Sequence, residues 1–345
     1  LSMYRFSSDY CEGAHPRILE KLIHTNDEQT AGYGEDRYCR AAAELIRQRC
    51  RSRNAAVQFI PGGTLANLTV AAACLRTYQG VLCAHTGHIQ THESGAIEAT
   101  GHRVIPLPSE NGKITAGQIQ EALNAYRNDP VREHLVQPKL VYISQSTEVG
   151  TVYSLQELED ISAVCRQNGL YLYIDGARLG YALAASDVTL ADLARLADIF
   201  LIGGTKIGAL FGEALVIPNP ALQEDFRTIV RQRGGLMAKG RLMGLQFLAL
   251  FEDGLYFDIA EHANKMAQVI RRACVDAGFG FLSDSPTNQQ FPILPNALVS
   301  RLSRDFDFSL WQDMGDGTHA VRFCTSWATT FSAVESLAEA IRTGA

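Results

Sequence analysis

The sequence predicts an α/β fold with a largely parallel sheet, on three observations. Short apolar runs of strand length alternate with longer segments of helical period between residues 56 and 217. Several of these runs are apolar throughout rather than alternating (LVYIS, LYLYID, DIFLIG), as strands covered on both faces should be. The 345 residues, 46% hydrophobic and 20% charged, are enough to bury a sizeable core and to divide into two domains.

The elements follow in order. Strands are expected at Ala56–Ile60, Val81–Ala84, Val104–Leu107, Leu140–Ser144, Leu170–Ile174, Ile199–Gly203 and Ala214–Ile217, giving a seven-stranded, mostly parallel sheet flanked by helices. Between them, Thr64–Arg76 reads as a helix with Thr64 as its N-cap and an apolar stripe. Thr115–Arg127 and Leu155–Gln167 are amphipathic, and Thr189–Leu196 is a short helix. After about Pro218 the texture changes to a basic helix (Ala221–Arg233), a Gly234–Gly235 break and a long helical stretch through Cys274. QQFPILPN, another helix, the turn MGDGTH, the strand AVRFCTS and a terminal helix complete the chain. The expected division is residues 1–243 for the N-terminal segment and large domain, and 244–345 for a smaller α+β domain.

Charge and composition narrow the function classes. The formal charge of −6 offers no basic footprint for nucleic acid or for an anionic membrane surface. No uncharged run reaches the roughly 18–20 residues that span a bilayer. LSMYRFSSDY has no signal-peptide core, and the eight cysteines form no C-x-x-C pair, so reduced thiols in a cytoplasmic protein are expected.

Ligands of open α/β sheets sit beyond the carboxyl ends of the strands, so the residues following each strand are the place to look. Pro61-Gly62-Gly63-Thr64 opens a helix and can turn backbone N–H groups toward an anion, although a tight turn with a capping Thr has the same sequence. Asp175-Gly176-Ala177-Arg178 puts an acid at a strand end with an arginine three residues on; an N-cap and a surface arginine are the alternative. Lys206 lies in GGTKIGALFGEA, among glycines and apolar residues, where desolvation lowers an amine's pKa and makes it a nucleophile. His85, His88 and His92 at i, i+3, i+7 raise a metal hypothesis, but Gly87 breaks the helix, no H-E-x-x-H motif is present, and no metal is expected. An imidazole lying flat on a cofactor ring is another use. A lysine after one strand, an acid after the strand before it and a Gly-Gly-Thr turn make a pyridoxal phosphate pocket of the aspartate aminotransferase fold type. There Lys206 forms the Schiff base, Asp175 keeps the pyridine nitrogen protonated and Gly63–Thr64 hold the phosphate.

The chain resembles the threonine aldolase / β-eliminating lyase family over nearly its whole length. FSSDYCEGAHPRILEKL is similar to the family's R-S-D-T opening and AGYGEDRYC to its Y-G-D-D segment. FIPGGTLANL, GHIQTHESGAI, YIDGARLG and GGTKIGALFGEA match in order. AVRFCTSWAT is similar to the segment with the substrate-carboxylate arginine. The resemblance implies a fold-type I pyridoxal phosphate enzyme. In it Lys206 is the Schiff-base lysine, Asp175 the pyridinium partner, Gly63 and Thr64 the phosphate ligands, and His88 stacks on the ring. Arg178 reaches toward the cofactor O3′ and the substrate carboxylate, Arg322 and Ser8 bind that carboxylate, and Tyr33 lies near the pocket rim. It also implies a homotetramer, or a dimer, whose sites are completed across subunits, with Arg231 and Lys239 as phosphate contacts in trans.

Two departures stand out. Many threonine aldolases carry Thr-His after the fourth strand, whereas here Glu148 occupies that place in Ser144-Gln145-Ser146-Thr147-Glu148; the lysine loop reads G-T-K-I-G rather than S-K-G-L-G. The expected activity is cleavage of threonine- or allo-threonine-like β-hydroxy-α-amino acids to glycine and an aldehyde, with Lys206, His88, Glu148 and Asp175 as catalytic residues. A β-eliminating lyase for another amino acid is the first alternative, and a non-catalytic protein of the same fold is the second.

Overall fold

The computed structural model describes residues 3–344. Its centre is a seven-stranded sheet built from β2 (Ala56–Ile60), β3 (Gln79–Ala84), β4 (Arg103–Leu107), β5 (Gln137–Ser144), β6 (Tyr171–Asp175), β7 (Ile199–Gly203) and β8 (Glu213–Ile217), in the order β2-β8-β7-β6-β5-β3-β4. β1 (Tyr4–Arg5) lies elsewhere, as described below. β8 is antiparallel to both neighbours and every other pairing in this sheet is parallel. The continuous apolar runs have their reason in two cores. Along β7, Phe200 and Ile202 enter one core while Ile199 and Leu201 enter the other, so each face of the strand is covered by helices.

The helices begin where capping chemistry allows. Thr115, Ser154 and Thr189 each accept from the third helical N–H while Gln118, Glu157 or Asp192 returns the bond, closing three capping boxes. The helix Gly63–Cys74 differs from expectation. Gly62, not Thr64, is its N-cap, and no side chain caps it. Its first-turn N–H groups are therefore left without the side-chain acceptor that Thr64 would have provided.

The small domain holds a second sheet of β10 (Ile293–Pro295), β12 (Ser309–Asp313) and β13 (Thr318–Cys324), with β9 (Gln289–Gln290) on the far end of β13. β1 pairs in parallel with β11 (Phe306–Asp307), and Phe6 joins the small domain's core. The first residues thus dock on the small domain rather than on the large one. The expected division at 243/244 falls inside the helix Arg241–Phe251, which packs on Arg37–Arg49 of the large domain. The helix Leu255–Asp276 then runs between the two cores, with Tyr256 and Ile259 in one and Ile270 and Cys274 in the other. The basic stretch 221–233 resolves into a short 3₁₀ turn and the helix Phe226–Gln232.

Candidate active site

A cavity of about 340 Å³ opens at the carboxyl ends of β2, β5, β6 and β7, large enough for a small cofactor. Gly63, Thr64, His88, Glu148, Asp175, Arg178 and Lys206 all line it. Two glycines bring its parts together. A Cβ on Gly176 would strike the carbonyl of Leu201, and one on Gly203 the carbonyl of Ala177, so the loops bearing Asp175 and Lys206 approach closely only without side chains there. At Gly62 and Gly63 nothing lies within 4 Å of an added Cβ, which leaves the uncapped helix start open to an anion.

Asp175 ends β6 and is buried. Its Oδ2 accepts from Tyr142 Oη at 2.7 Å and Asn67 Nδ2 at 3.1 Å, and its Oδ1 from the Ala177 N–H at 2.9 Å. Asn67 Nδ2 also donates to Glu93 Oε1 (2.7 Å), and Tyr173 Oη donates to Asn67 Oδ1 (2.7 Å). Glu93 Oε1 lies 2.7 Å from His88 Nδ1. The backbone N–H of His88 and Ser144 Oγ both bond Glu148 Oε1, at 2.9 and 2.6 Å. One network thus runs from Glu93 through Asn67 to Asp175, Tyr142, Ser144 and Glu148. Burial raises the Glu148 carboxyl pKa above the ordinary range. Burial, and then the Arg178 charge, lowers that of Lys206.

Arg178 is oriented by a partner that the sequence did not reveal. Its Nε and Nη2 bond both carboxylate oxygens of the buried Asp9, at 2.7 and 3.0 Å. Burial would raise the Asp9 pKa, but the Arg178 charge overrides it and holds the carboxyl below its usual value. Two of the Arg178 donor directions are therefore already used within the protein.

Ser8 and Arg322 lie beside this cavity rather than in its lining. Arg322, on β13, donates through Nη2 to the Ser7 carbonyl at 2.9 Å and stacks over Trp311 at 5.2 Å. Its Nε and the Ser8 Oγ are buried without partners among the described residues. Tyr33 does not reach the rim of its own chain's cavity. Its N–H bonds the Ala238 carbonyl, its carbonyl accepts from Arg227, and its ring stacks under the Arg231 guanidinium at 4.8 Å. It lines a separate cavity of about 310 Å³, and Arg231 and the exposed Lys239 do not enter the first one. The three histidines share no helical face, because the helix His88–Thr91 is one turn long. His85 instead accepts from the Ser109 N–H at 3.0 Å, and His92 packs on the His88 ring.

Sequence reasoning missed Asn67, Glu93, Tyr142, Ser144, Asp9 and Glu213. A polar residue facing inward from an apolar helix (Asn67) and a lone acid in an apolar run (Glu213) were the available signals.

Comparison with solved structures fixes the class first. A single-mutant form of aspartate aminotransferase from Thermus thermophilus matches with a TM-score of 0.70 at 12% identity, over 99% of this chain and 92% of that one. That likeness is one of fold alone, the mostly parallel α/β domain with a smaller C-terminal domain. The beta-eliminating lyase family model matches residues 6–296, and the chain belongs to that family. It is 33% identical to the low specificity L-threonine aldolase of a Pseudomonas species over 98% of this chain and 97% of that one. The structure of threonine aldolase from Leishmania major matches at 47% identity with a TM-score of 0.96, covering 99% of each chain. The protein is a pyridoxal phosphate-dependent lyase, and the open glycine turn, the buried Asp175 and the desolvated Lys206 fit that cofactor's phosphate, ring nitrogen and aldehyde.

Proposed function

We propose that the protein cleaves threonine- and allo-threonine-like β-hydroxy-α-amino acids to glycine and an aldehyde. The observation that carries this reading is Glu148, a proton acceptor on the cavity wall whose protein donors both go to Oε1. The whole-chain likeness to threonine aldolases supports it. Pyridoxal phosphate supplies the aldehyde that captures an amino group and the ring that takes up the electron pair left on Cα.

The side chains do the rest. Lys206 is the amine that carries the cofactor, its pKa lowered so that more of the free base is present. Asp175, fixed in place by Tyr142, Asn67 and the Ala177 N–H, would face the ring nitrogen of the cofactor and share its proton. The first-turn N–H groups at Gly63 and Thr64 take the phosphate. Glu93 fixes the His88 ring through Nδ1 so that it can lie against the cofactor face. Arg322 Nε, Ser8 Oγ and the remaining Arg178 N–H groups would orient the substrate carboxylate and with it the bond to be cleaved. Glu148 accepts the β-hydroxyl proton as that bond breaks, and a proton returned to Cα completes glycine.

The same reading includes a cytoplasmic protein that works as a homotetramer, or a dimer, with Arg231 and Lys239 reaching a neighbour's phosphate. Their distance from their own cavity, the exposure of Tyr33 and the eight free cysteines support it. Among the described residues no helix is long and apolar enough to cross a membrane.

The test is product analysis of the holoenzyme with L-allo-threonine, with Lys206→Ala as the blank. Acetaldehyde and glycine in equal amounts are expected. Ammonia and a keto acid without glycine would replace this reading with β-elimination.

A further inference from the structure

The mechanism above leaves one buried acid in the cavity unused. Glu213 is the first residue of β8, is 5% exposed, and lines the cavity beside Gly62, Gly63, Thr64, Thr205 and Lys206. Its Cα is register-paired with Ile60, which leads into the Pro61-Gly62-Gly63 turn, and with Gly203, which leads into the lysine loop. Its Oε2 accepts from the Gly204 N–H at 2.7 Å and its Oε1 from Thr205 Oγ1 at 2.9 Å. A buried carboxyl group thus stands between the open helix start and the lysine, where the proposed function would place the cofactor's phosphate.

We propose that Glu213 is a proton-holding positioning residue that turns Thr205 from a donor toward Glu213 into a donor toward the cofactor phosphate. With the carboxyl ionised, the Thr205 hydroxyl hydrogen points at Glu213 Oε1. With it protonated, the hydrogen sits on Oε1, Thr205 Oγ1 accepts it, and the threonine hydrogen is released toward the anion. One proton is taken up from solvent and forms one O–H bond on Glu213, no other covalent bond changes, and the like-charge repulsion toward the phosphate disappears as the threonine hydrogen is redirected.

The surroundings allow the change near neutrality. Burial pushes the Glu213 pKa up to about 7, against the Gly204 N–H, the Lys206 charge and the Thr205 hydroxyl, which favour the carboxylate; Asp175 also pushes upward. Tyr173 and Tyr256 are the other titratable groups that feel this carboxyl, and burial raises both further, so they stay neutral. Phosphate above the turn adds negative charge and raises the Glu213 pKa again, so cofactor binding and proton uptake are linked. The inference rests on the phosphate lying over Gly62–Thr64, and not on which amino acid is cleaved.

The experiment is equilibrium dialysis of the holoenzyme from about pH 6 to about pH 9, with retained cofactor read by its visible absorbance. Wild type is compared with Glu213→Gln and Thr205→Val. Full linkage weakens wild-type binding by about tenfold for each pH unit above neutrality relative to Glu213→Gln. The glutamine amide donates to Thr205 Oγ1 at every pH, so that variant should hold the cofactor at high pH as wild type does near pH 6. Ionisation of the cofactor is common to both proteins and cancels in the ratio, whereas Lys206 loses the upward push of the Glu213 charge in the glutamine variant; Thr205→Val keeps that charge and controls for it. Thr205→Val keeps the acid but has no hydroxyl to turn, and should bind more weakly throughout.

Pyridoxal, which lacks the phosphate, separates the two ways of failing. If pyridoxal and pyridoxal phosphate bind alike, the phosphate placement is wrong. If the phosphate matters but wild type and Glu213→Gln keep parallel pH profiles, Glu213 does not hold the proton. A Glu213→Gln protein that does not fold leaves Thr205→Val to decide, because an unchanged affinity there overturns the hydroxyl switch.

Discussion

Two parts of the cleft treat their polar atoms differently. On the floor, Asp175 receives donors from β5, from the helix Gly63–Cys74 and from its own loop, and Asn67 spends both its amide and its carbonyl. Among the described residues Glu93 Oε2 and Ser146 Oγ are the buried exceptions there. At the junction with the small domain, Asn288 Oδ1, Gln289 Nε2, Gln290 Oε1, Ser8 Oγ and Arg322 Nε are all buried with no partner among the described residues. A buried polar atom without a partner costs about 1–3 kcal/mol. The floor is therefore organised before any substrate arrives, while the junction keeps donors and acceptors, Arg322 Nε and Ser8 Oγ among the donors, whose partners have to be supplied. This division suits a lyase in which the cofactor stays and the amino acid comes and goes.

The largest effect should come from breaking the floor at its centre. Asp175→Ala removes the group that holds the ring proton, and kcat should fall on the order of 100- to 1000-fold, the cost of losing an electrostatic stabiliser in a dry site. Because Lys206 and the glycine turn are untouched, the variant should still take up the cofactor and show its visible band. Near-normal turnover in steady-state assays would remove Asp175 from the chemistry.

Glu148 stands between the two regions, and its pH behaviour sharpens the contrast. Burial raises its pKa, so the protonated form persists above the ordinary glutamate range and the base appears only as pH rises through that raised value. The acidic limb of kcat/KM should sit correspondingly high. Glu148→Gln should lose that limb along with roughly 100-fold in rate. A variant that keeps the limb would pass the base role to another group.

How much of this was legible in the sequence follows the same line. β7 was legible because both its faces are buried and its sequence is apolar throughout, and the helices near Thr115, Leu155 and Thr189 were legible from their period; the one cap read from sequence, Thr64, is displaced by Gly62. Lys206 and Asp175 were singled out because they follow strand ends, and both line the cavity there. β9, β11 and the register of β1 were not, since two-residue strands with Gln289 and Gln290 facing a buried junction carry no apolar signal. Asn67, Tyr142 and Glu93 are far apart in sequence and meet only through the topology, so no local pattern names them. Tyr33 was expected at the rim because its loop resembles a family segment, but its backbone bonds to Ala238 and Arg227 turn it to another face.

Arg322→Lys tests the junction. Lysine keeps the charge but loses the fork that offers Nε to a ligand while Nη2 stays on the Ser7 carbonyl. Loss of one charged hydrogen bond, about 1.5–3 kcal/mol, corresponds to a KM rise of roughly 10- to 100-fold. The effect should fall mainly on KM, because the floor that serves the bond-breaking step is intact. An equal fall in kcat with KM unchanged would place Arg322 in the chemistry instead.

The smallest effect separates the regions without any substrate. Tyr173→Phe removes the hydroxyl that Asn67 Oδ1 accepts at 2.7 Å, leaving that carbonyl buried and alone. Stability should drop by about 1–3 kcal/mol in denaturant titration. Activity should change far less, because Tyr142 and the Ala177 N–H still hold Asp175. Ser8→Ala is the matched change at the junction. Its hydroxyl has no partner to abandon among the described residues, so removing it relieves an unmet buried donor and should leave stability within about 0.5 kcal/mol of wild type, or raise it. The same variant should bind substrate more weakly. If Ser8→Ala destabilised the protein as much as Tyr173→Phe, the junction would be as self-satisfied as the floor, and its unpaired donors would not be reserved for a carboxylate.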